Sequence, residues 1–195
     1  KHVPLDNLYW GVQYPDVKIK SAIRPRNIAK TVAKLLTHGK IVARFAGRDE
    51  FGPRALGNRS ILADPRSSEV IRKINFAIKM RDFWMPFAPA ILEEDAPKYL
   101  KNYHPAPYMV ESFATTPVAQ QDIIAGLHPF DLSCRPQTVN KVGNPDYYQI
   151  IQEFKKLPGV GAVLNTSFNL HGFPIVGTPQ AAINTFLYSG LDALI

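Results

Sequence analysis

Residues 47–60, which combine arginine with glycine, are the part of the sequence best suited to bind an anion. The segment reads GRDEFGPRALGNRS and places Arg48, Arg54 and Arg59 among three glycines. Glycine lets backbone N–H groups approach an oxyanion, and arginine offers a planar fork of donors to phosphate or carboxylate. We interpret the segment, which follows a predicted buried strand, as a rigid anion-binding loop. It is not a Walker loop, because GxxxxGK[ST] is absent.

A structural role is the alternative for these arginines. Asp49, Glu50 and Asp64 could pair with them in an internal network. The nearby acids are too few to neutralise all of the arginines from Arg48 to Arg66, so we favour the anion-binding interpretation.

A second basic cluster surrounds a predicted helix that ends near Lys79. Arg72 and Lys73 are equally consistent with a solvated helix face. Lys79 and Arg81 lead into the apolar run 83–87, which is more hydrophobic than an exposed loop usually is. We therefore give these two cations more weight as ligand-binding residues.

The segment from Asp131 to Gln137 places a hydroxyl, a guanidinium and an amide close together in Ser133, Arg135 and Gln137. Such a trio could hold a phosphate or a small planar amide. Cys134 lies within the same segment. We interpret it as a small packed residue rather than as a nucleophile, because no histidine lies beside it in the sequence to act as a base.

Neutral polar residues follow the last predicted internal strand, in the segment Asn165–Thr166–Ser167–Phe168–Asn169. Ligands in α/β folds commonly lie at the carboxyl ends of strands, where such side chains supply donors and acceptors. A simple turn rich in asparagine is the alternative.

Alternating helices and strands must position these segments. Periodicity, cap residues and first-turn prolines predict helices near 28–36, 70–78, 144–154 and 178–187, and strands near 41–46, 88–92, 108–114 and 161–165. The pattern predicts an α/β or α+β domain with a mixed sheet. Residues 1–25 lack periodicity and are predicted to be an extended arm or linker that packs on a neighbouring domain.

The composition narrows the class of partner. The 195 residues carry 23 Lys and Arg against 16 Asp and Glu, and the formal charge of +7 favours anionic partners. One cysteine excludes an internal disulfide framework, and no apolar run has the length of a membrane span or resembles a signal peptide. We expect a cytoplasmic location, and both chain ends suggest a piece of a larger protein.

Four motifs together resemble one family. GRDEFGPRALGNRSIL at 47–62, IN…IK.R…PFAP at 74–89, RPQTV at 135–139 and LNTSFN…G.PIV at 164–176 are similar to the C-terminal domain of the O-carbamoyltransferases. This family includes the enzymes that carbamoylate nodulation factors, tobramycin and cephamycin. The resemblance covers nearly the whole chain in order.

The resemblance implies a YrdC-like fold over residues 26–195, with a twisted mixed sheet flanked by helices. It implies a reaction in which this half uses ATP, with Mg²⁺, and carbamoyl phosphate to form carbamoyl adenylate and release pyrophosphate. An upstream Kae1-like domain of the same polypeptide would then pass the carbamoyl group to the hydroxyl of a small-molecule acceptor. Iron or another metal is expected only in that upstream domain, and no metal ligands are expected here.

The resemblance also assigns roles to residues. Catalytic contacts to phosphate or carbamoyl groups are implied for Arg48, Arg54 and Arg135. Binding of carbamoyl phosphate or of the adenylate is implied for Arg59, Lys79, Arg81 and Ser133. The nucleotide pocket would be lined by Asn165, Thr166, Ser167 and Asn169.

Two departures and two rival functions accompany this interpretation. Met85 stands where many relatives have the arginine of FRPFAP, and Leu132 stands where a glycine is common in DGTxRxQ. The rivals are an RNA-binding YrdC-like module and a regulatory domain that binds nucleotide without turnover. A nucleic-acid binder should spread its charge over a face with interleaved aromatic residues, whereas here the charge concentrates in a loop after a strand, so nucleic acid is not the favoured partner.

Overall fold

The computed structural model describes residues 7–15, 17, 19, 22–80, 82 and 84–195. In this part of the chain, six strands form one sheet: β1 (Val42–Phe45), β2 (Arg59–Ala63), β3 (Ala88–Leu92), β4 (Gln137–Val139), β5 (Ala162–Ser167) and β6 (Ala193–Leu194). Their order across the sheet is β4-β3-β5-β2-β1-β6. The pairs β1 with β6 and β3 with β4 are parallel, and the other pairs are antiparallel. The sheet is therefore mixed, as the sequence predicts.

Helices cover both faces of the sheet. The described residues contain α1 (Ile28–Thr37), α2 (Glu69–Ile74), α3 (Ala96–Tyr99), α4 (Pro117–Asp122), α5 (Pro145–Lys155) and α6 (Pro179–Leu187). Buried side chains of α1 and α5 share one apolar cluster with the sheet, and those of α2 and α6 share a second. Neighbouring residues of a strand point to opposite faces, so Val42 joins the first cluster and Ala43 the second.

The predicted cap residues begin the three longest helices. The side chains of Asn27, Asn144 and Thr178 each accept a hydrogen bond from the backbone N–H three residues later, at 2.9 to 3.1 Å. Pro145 and Pro179 occupy the first helical turn, where a missing N–H costs nothing. These local signals are strong enough to fix where α1, α5 and α6 start.

The predicted strand over residues 108–114 is wrong. Met109 has a left-handed backbone with φ of 54°, which interrupts an extended chain, and Val110 is exposed. Only Phe113 pairs there, in a single antiparallel bridge with Cys134. The segment is a loop instead, in which Met109 and the half-buried Tyr108 pack in the small cluster around Leu56.

The extended arm contacts the anion-binding loop of its own chain. Gly11 N–H donates to the carbonyl of Asp49 at 3.1 Å, and Phe51 N–H donates to the carbonyl of Leu8 at 2.6 Å. The rings of Trp10 and Phe51 lie 5.2 Å apart. The arm is thus paired with the segment that the sequence predicts to bind anions. None of the described helices has the length and apolar character needed to cross a membrane.

Candidate anion-binding site

The predicted functional segments meet at one edge of the sheet. Because β1 and β2 are antiparallel, Phe45 at the end of β1 lies opposite Arg59 at the start of β2. The end of β5 reaches the same edge, where Ser167 is the partner of Ser60. The starts of β3 and β4 also lie there, since β3 is antiparallel to β5 and parallel to β4. Loops that are far apart in sequence therefore surround one cleft.

Glu50 holds the arginine-rich loop in shape. Its Oε1 accepts backbone N–H bonds from Leu56 at 2.8 Å, Asn58 at 2.7 Å and Arg59 at 3.2 Å. All three donors belong to buried residues. A single carboxylate oxygen thus closes the loop from residue 50 to residue 59 and holds the intervening residues, including Arg54, in one arch.

Arg59 is the first residue of β2, and its side chain is buried, with 1% exposed. The guanidinium pairs with Asp49, donates to the carbonyl of Ala46 at 2.7 Å and lies 3.6 Å from the centre of the Phe45 ring. Burial lowers the pKa of Arg59, and the Asp49 carboxylate opposes that shift. In this conformation, Arg59 supports the base of the loop from inside, and its direct contact with substrate stays a prediction. The predicted loop extends too far, because its last two residues, Arg59 and Ser60, begin β2.

Arg54 and Arg135 line the same cleft, which has a volume of about 100 Å³. Arg54 is exposed and has no hydrogen-bond or ion-pair partner among the described residues. Arg135 reaches the cleft from the segment that leads into β4. No acidic side chain belongs to the described lining, so the two guanidinium groups are its only charged groups among the described residues.

The far wall of the cleft comes from β5 and from the segment before β3. Asn165, Thr166 and Ser167 contribute from β5, and Pro86 and Phe87 contribute from the other side. Three of the four residues predicted to line a nucleotide pocket thus lie in one wall, and their contact with nucleotide stays a prediction. This wall combines hydrogen-bonding groups with an apolar surface, as ligand sites commonly do.

Lys79 lies directly behind this wall. A π-helical turn, Asn75–Lys79, continues α2 and brings the lysine to the end of β5. Its ammonium group is 2.9 Å from Ser167 Oγ and 2.6 Å from Asn169 Oδ1, and the residue is 2% exposed. Met80, which ends the turn, has a left-handed backbone with φ of 47°. π-Helical turns are frequent at functional sites, and this one places a buried cation beside the predicted nucleotide-binding segment.

The remaining predicted residues lie around this centre or outside the described part. Arg48 is exposed and donates to the carbonyl of Gly11 at 3.1 Å. Ser133 Oγ donates to Asp131 Oδ1 at 2.7 Å, next to the segment that carries Arg135. Arg81 falls outside the described residues, so its predicted contact stays a prediction.

Neither Cys134 nor any described histidine belongs to the lining of the cleft. Burial raises the pKa of the Cys134 thiol to about 12, so the thiolate needed for nucleophilic attack is scarce at neutral pH. Among the described residues, no group of three or more His, Cys, Asp or Glu is arranged to hold a metal ion. The described lining supplies guanidinium groups and neutral hydrogen-bonding groups.

Comparison with known proteins identifies the family. The sequence model described as Carbamoyltransferase C-terminus matches residues 33–195. The chain belongs to this family. Nodulation protein NolO of Bradyrhizobium diazoefficiens is 37% identical to this carbamoyltransferase domain over 208 residues, which cover 98% of the chain and 37% of NolO. The chain spans about a third of the length of the curated relatives it matches.

Solved structures confirm the predicted YrdC-like fold of this carbamoyltransferase domain. Escherichia coli YciO superimposes with a TM-score of 0.59 at 14% identity, covering 86% of this chain and 76% of YciO. Full-length HypF, in its phosphate- and nucleotide-bound form, gives a TM-score of 0.56 at 17% identity, covering 86% of this chain and 24% of HypF. At these identities the likeness establishes the fold.

Sequence reasoning missed the buried polar support of the candidate site. Arg44, in the middle of β1, donates to the carbonyl of Gly57 and to Asn58 Oδ1, both at 2.7 Å. Burial lowers the pKa of Arg44. A lone arginine inside the apolar run Ile41–Ala46 was the available signal. Such a residue needs buried acceptors, and here the acceptors are the second half of the anion-binding loop.

Proposed function

We propose that this chain is the adenylating part of a carbamoyltransferase, which binds ATP and carbamoyl phosphate and forms carbamoyl adenylate. Water first cleaves carbamoyl phosphate to carbamate and phosphate. A carbamate oxygen then bonds to the α-phosphorus of ATP while the bond to the β-phosphate breaks and pyrophosphate leaves. The carbamoyl group passes to a hydroxyl of a small-molecule acceptor in an upstream part of the full-length protein, and AMP is released.

The observation that carries the proposal is the convergence of Arg54 and Arg135 on a cleft whose described lining has no acidic group. Both substrates and the departing pyrophosphate are polyanions. Guanidinium groups give charge-assisted, forked hydrogen bonds to phosphate oxygens, and such bonds contribute about 1.5–3 kcal/mol each. A site of this kind accelerates transfer by positioning and by stabilising charge.

Each part of the site has a distinct task in this proposal. Arg54 and Arg135 bind phosphate oxygens, and the Glu50 carboxylate keeps Arg54 in place through the loop. Lys79 orients Ser167 and Asn169 in the neighbouring wall. Mg²⁺ bound with ATP would neutralise further phosphate charge. HypF, which shares the fold, has been solved in a phosphate- and nucleotide-bound form, and that supports assigning such ligands to the cleft.

Pyrophosphate release tests the proposal. We expect pyrophosphate only when ATP, Mg²⁺ and carbamoyl phosphate are all supplied, and we expect Arg135→Ala to lower its rate about 100-fold or more. Arg66→Ala is the matched control, because Arg66 is exposed and paired with Asp64 at 2.7 Å outside the cleft lining. Absence of pyrophosphate from both this chain and the full-length protein, with ATP bound, would favour a regulatory domain and contradict the proposal.

A further inference from the structure

Asn165, a residue of the cleft wall, has a buried side-chain oxygen that lacks a hydrogen-bond donor in the described part of the chain. Asn165 is 1% exposed, and its Oδ1 has no partner among the described residues. The same residue belongs to the lining that includes Arg54 and Arg135. A buried acceptor without a donor is costly, and native proteins rarely keep one that has no use.

The orientation of this amide is fixed by its neighbours. Asn165 Nδ2 donates to the carbonyl of Ala55 at 3.1 Å and to Gln137 Oε1 at 3.2 Å. Gln137 is fixed in turn, because its Nε2 donates to the carbonyl of Leu56 at 2.9 Å. Rotating the Asn165 amide by 180° would turn its oxygen towards two acceptors. This series of hydrogen bonds, from Asn165 through Gln137 to Leu56, fixes the amide so that Asn165 Oδ1 can only accept.

We infer that Asn165 Oδ1 accepts a hydrogen bond from the NH₂ of the carbamoyl group, and that this contact selects carbamoyl phosphate over acyl phosphates that lack an N–H. The inference rests on the proposed function and assigns the acyl-group selectivity of that same site. The arginines recognise the phosphate, which all acyl phosphates share. Asn165 recognises the acyl group, which differs from one acyl phosphate to another.

The size of the cleft favours the small end of the substrate as the donor. Its volume of about 100 Å³ is below the roughly 300–1,000 Å³ of pockets that enclose drug-sized ligands. The carbamoyl group is small and planar, and its NH₂ supplies the kind of donor that Asn165 Oδ1 lacks. Acetyl phosphate places a methyl group of similar size in the same position, so it leaves Asn165 Oδ1 without a donor.

Competition between these two ligands gives a direct test. With inorganic phosphate as the reference anion, we expect wild-type protein to bind carbamoyl phosphate roughly 5- to 150-fold more tightly than acetyl phosphate, the range expected for one buried acceptor left unpaired. Asn165→Leu removes the acceptor at similar size and is expected to bring the ratio close to one. Asn184→Leu changes the same residue type on the exposed surface of α6 and is expected to keep the wild-type ratio.

The possible failures are distinguishable. If wild-type protein binds phosphate and both acyl phosphates with equal affinity, the selectivity inference is refuted while the anion site stands. If neither acyl phosphate binds, the proposed function fails and the inference fails with it. If Asn165→Leu does not fold, the affinities of wild-type protein for carbamoyl phosphate and acetyl phosphate still decide, because that comparison changes only the ligand.

Discussion

Removing the Glu50 carboxylate should unfold the anion-binding loop more readily than any surface substitution would. In Glu50→Ala, the backbone N–H groups of Leu56, Asn58 and Arg59 lose their common acceptor. Two of these bonds are short, at 2.8 and 2.7 Å, and a hydrogen bond to a charged group contributes about 1.5–3 kcal/mol. Two such bonds give about 3 kcal/mol at the lower end, and we set the upper limit at about 5 kcal/mol because single substitutions rarely cost more.

The assay is urea unfolding at neutral pH with three variants. We expect Glu50→Ala to lower the free energy of unfolding by about 3–5 kcal/mol, and Glu50→Gln, which keeps a neutral acceptor, to lower it by about half as much. Glu69→Ala, at an exposed position in the first turn of α2, should change it by about 0.5 kcal/mol or less. A loss below about 1 kcal/mol in Glu50→Ala would refute the view that this carboxylate holds the loop.

Two further predictions concern buried ionisable groups. Because burial raises the pKa of Cys134 to about 12, the thiol should react with an alkylating reagent at pH 8 only as fast as the protein unfolds. Labelling within minutes under native conditions would show that the thiol is accessible. Burial likewise raises the pKa of Tyr9 from 10.0 to about 12, so the folded state holds this proton more tightly and the free energy of unfolding should fall between about pH 10 and 12. In Tyr9→Phe the free energy of unfolding should fall less steeply over this pH range. An unchanged slope would show that other groups cause the fall.

Local signals made much of the fold predictable. Cap residues and first-turn prolines locate α1, α5 and α6, because a helix start depends on the residues next to it. The predicted strand at 108–114 failed for the opposite reason. Tyr108 and Met109 pack on the Leu56 cluster within a loop, and only tertiary contacts reveal this.

The candidate site likewise has features that the sequence predicts and features that it does not. Arg54, Arg135 and Asn165 were identified from residue type and from their position beside strands, and the structure brings them to one cleft. The burial of Arg59 could not be predicted, because it depends on the register that places this residue opposite Phe45. Glu50 enters the sequence analysis only as a counterion in the structural alternative. Its capture of three backbone N–H groups requires a loop path that no local pattern encodes.

Calorimetric titration of carbamoyl phosphate into wild-type protein, Arg54→Ala, Arg135→Ala and the control Arg66→Ala tests the central claim most directly. If the two cleft arginines bind the phosphate, each of their alanine variants should weaken binding about tenfold or more, since one charge-assisted hydrogen bond contributes about 1.5–3 kcal/mol. The control should bind within about twofold of wild type, because its partner Asp64 is outside the cleft lining. Wild-type affinity in both Arg54→Ala and Arg135→Ala would contradict the account.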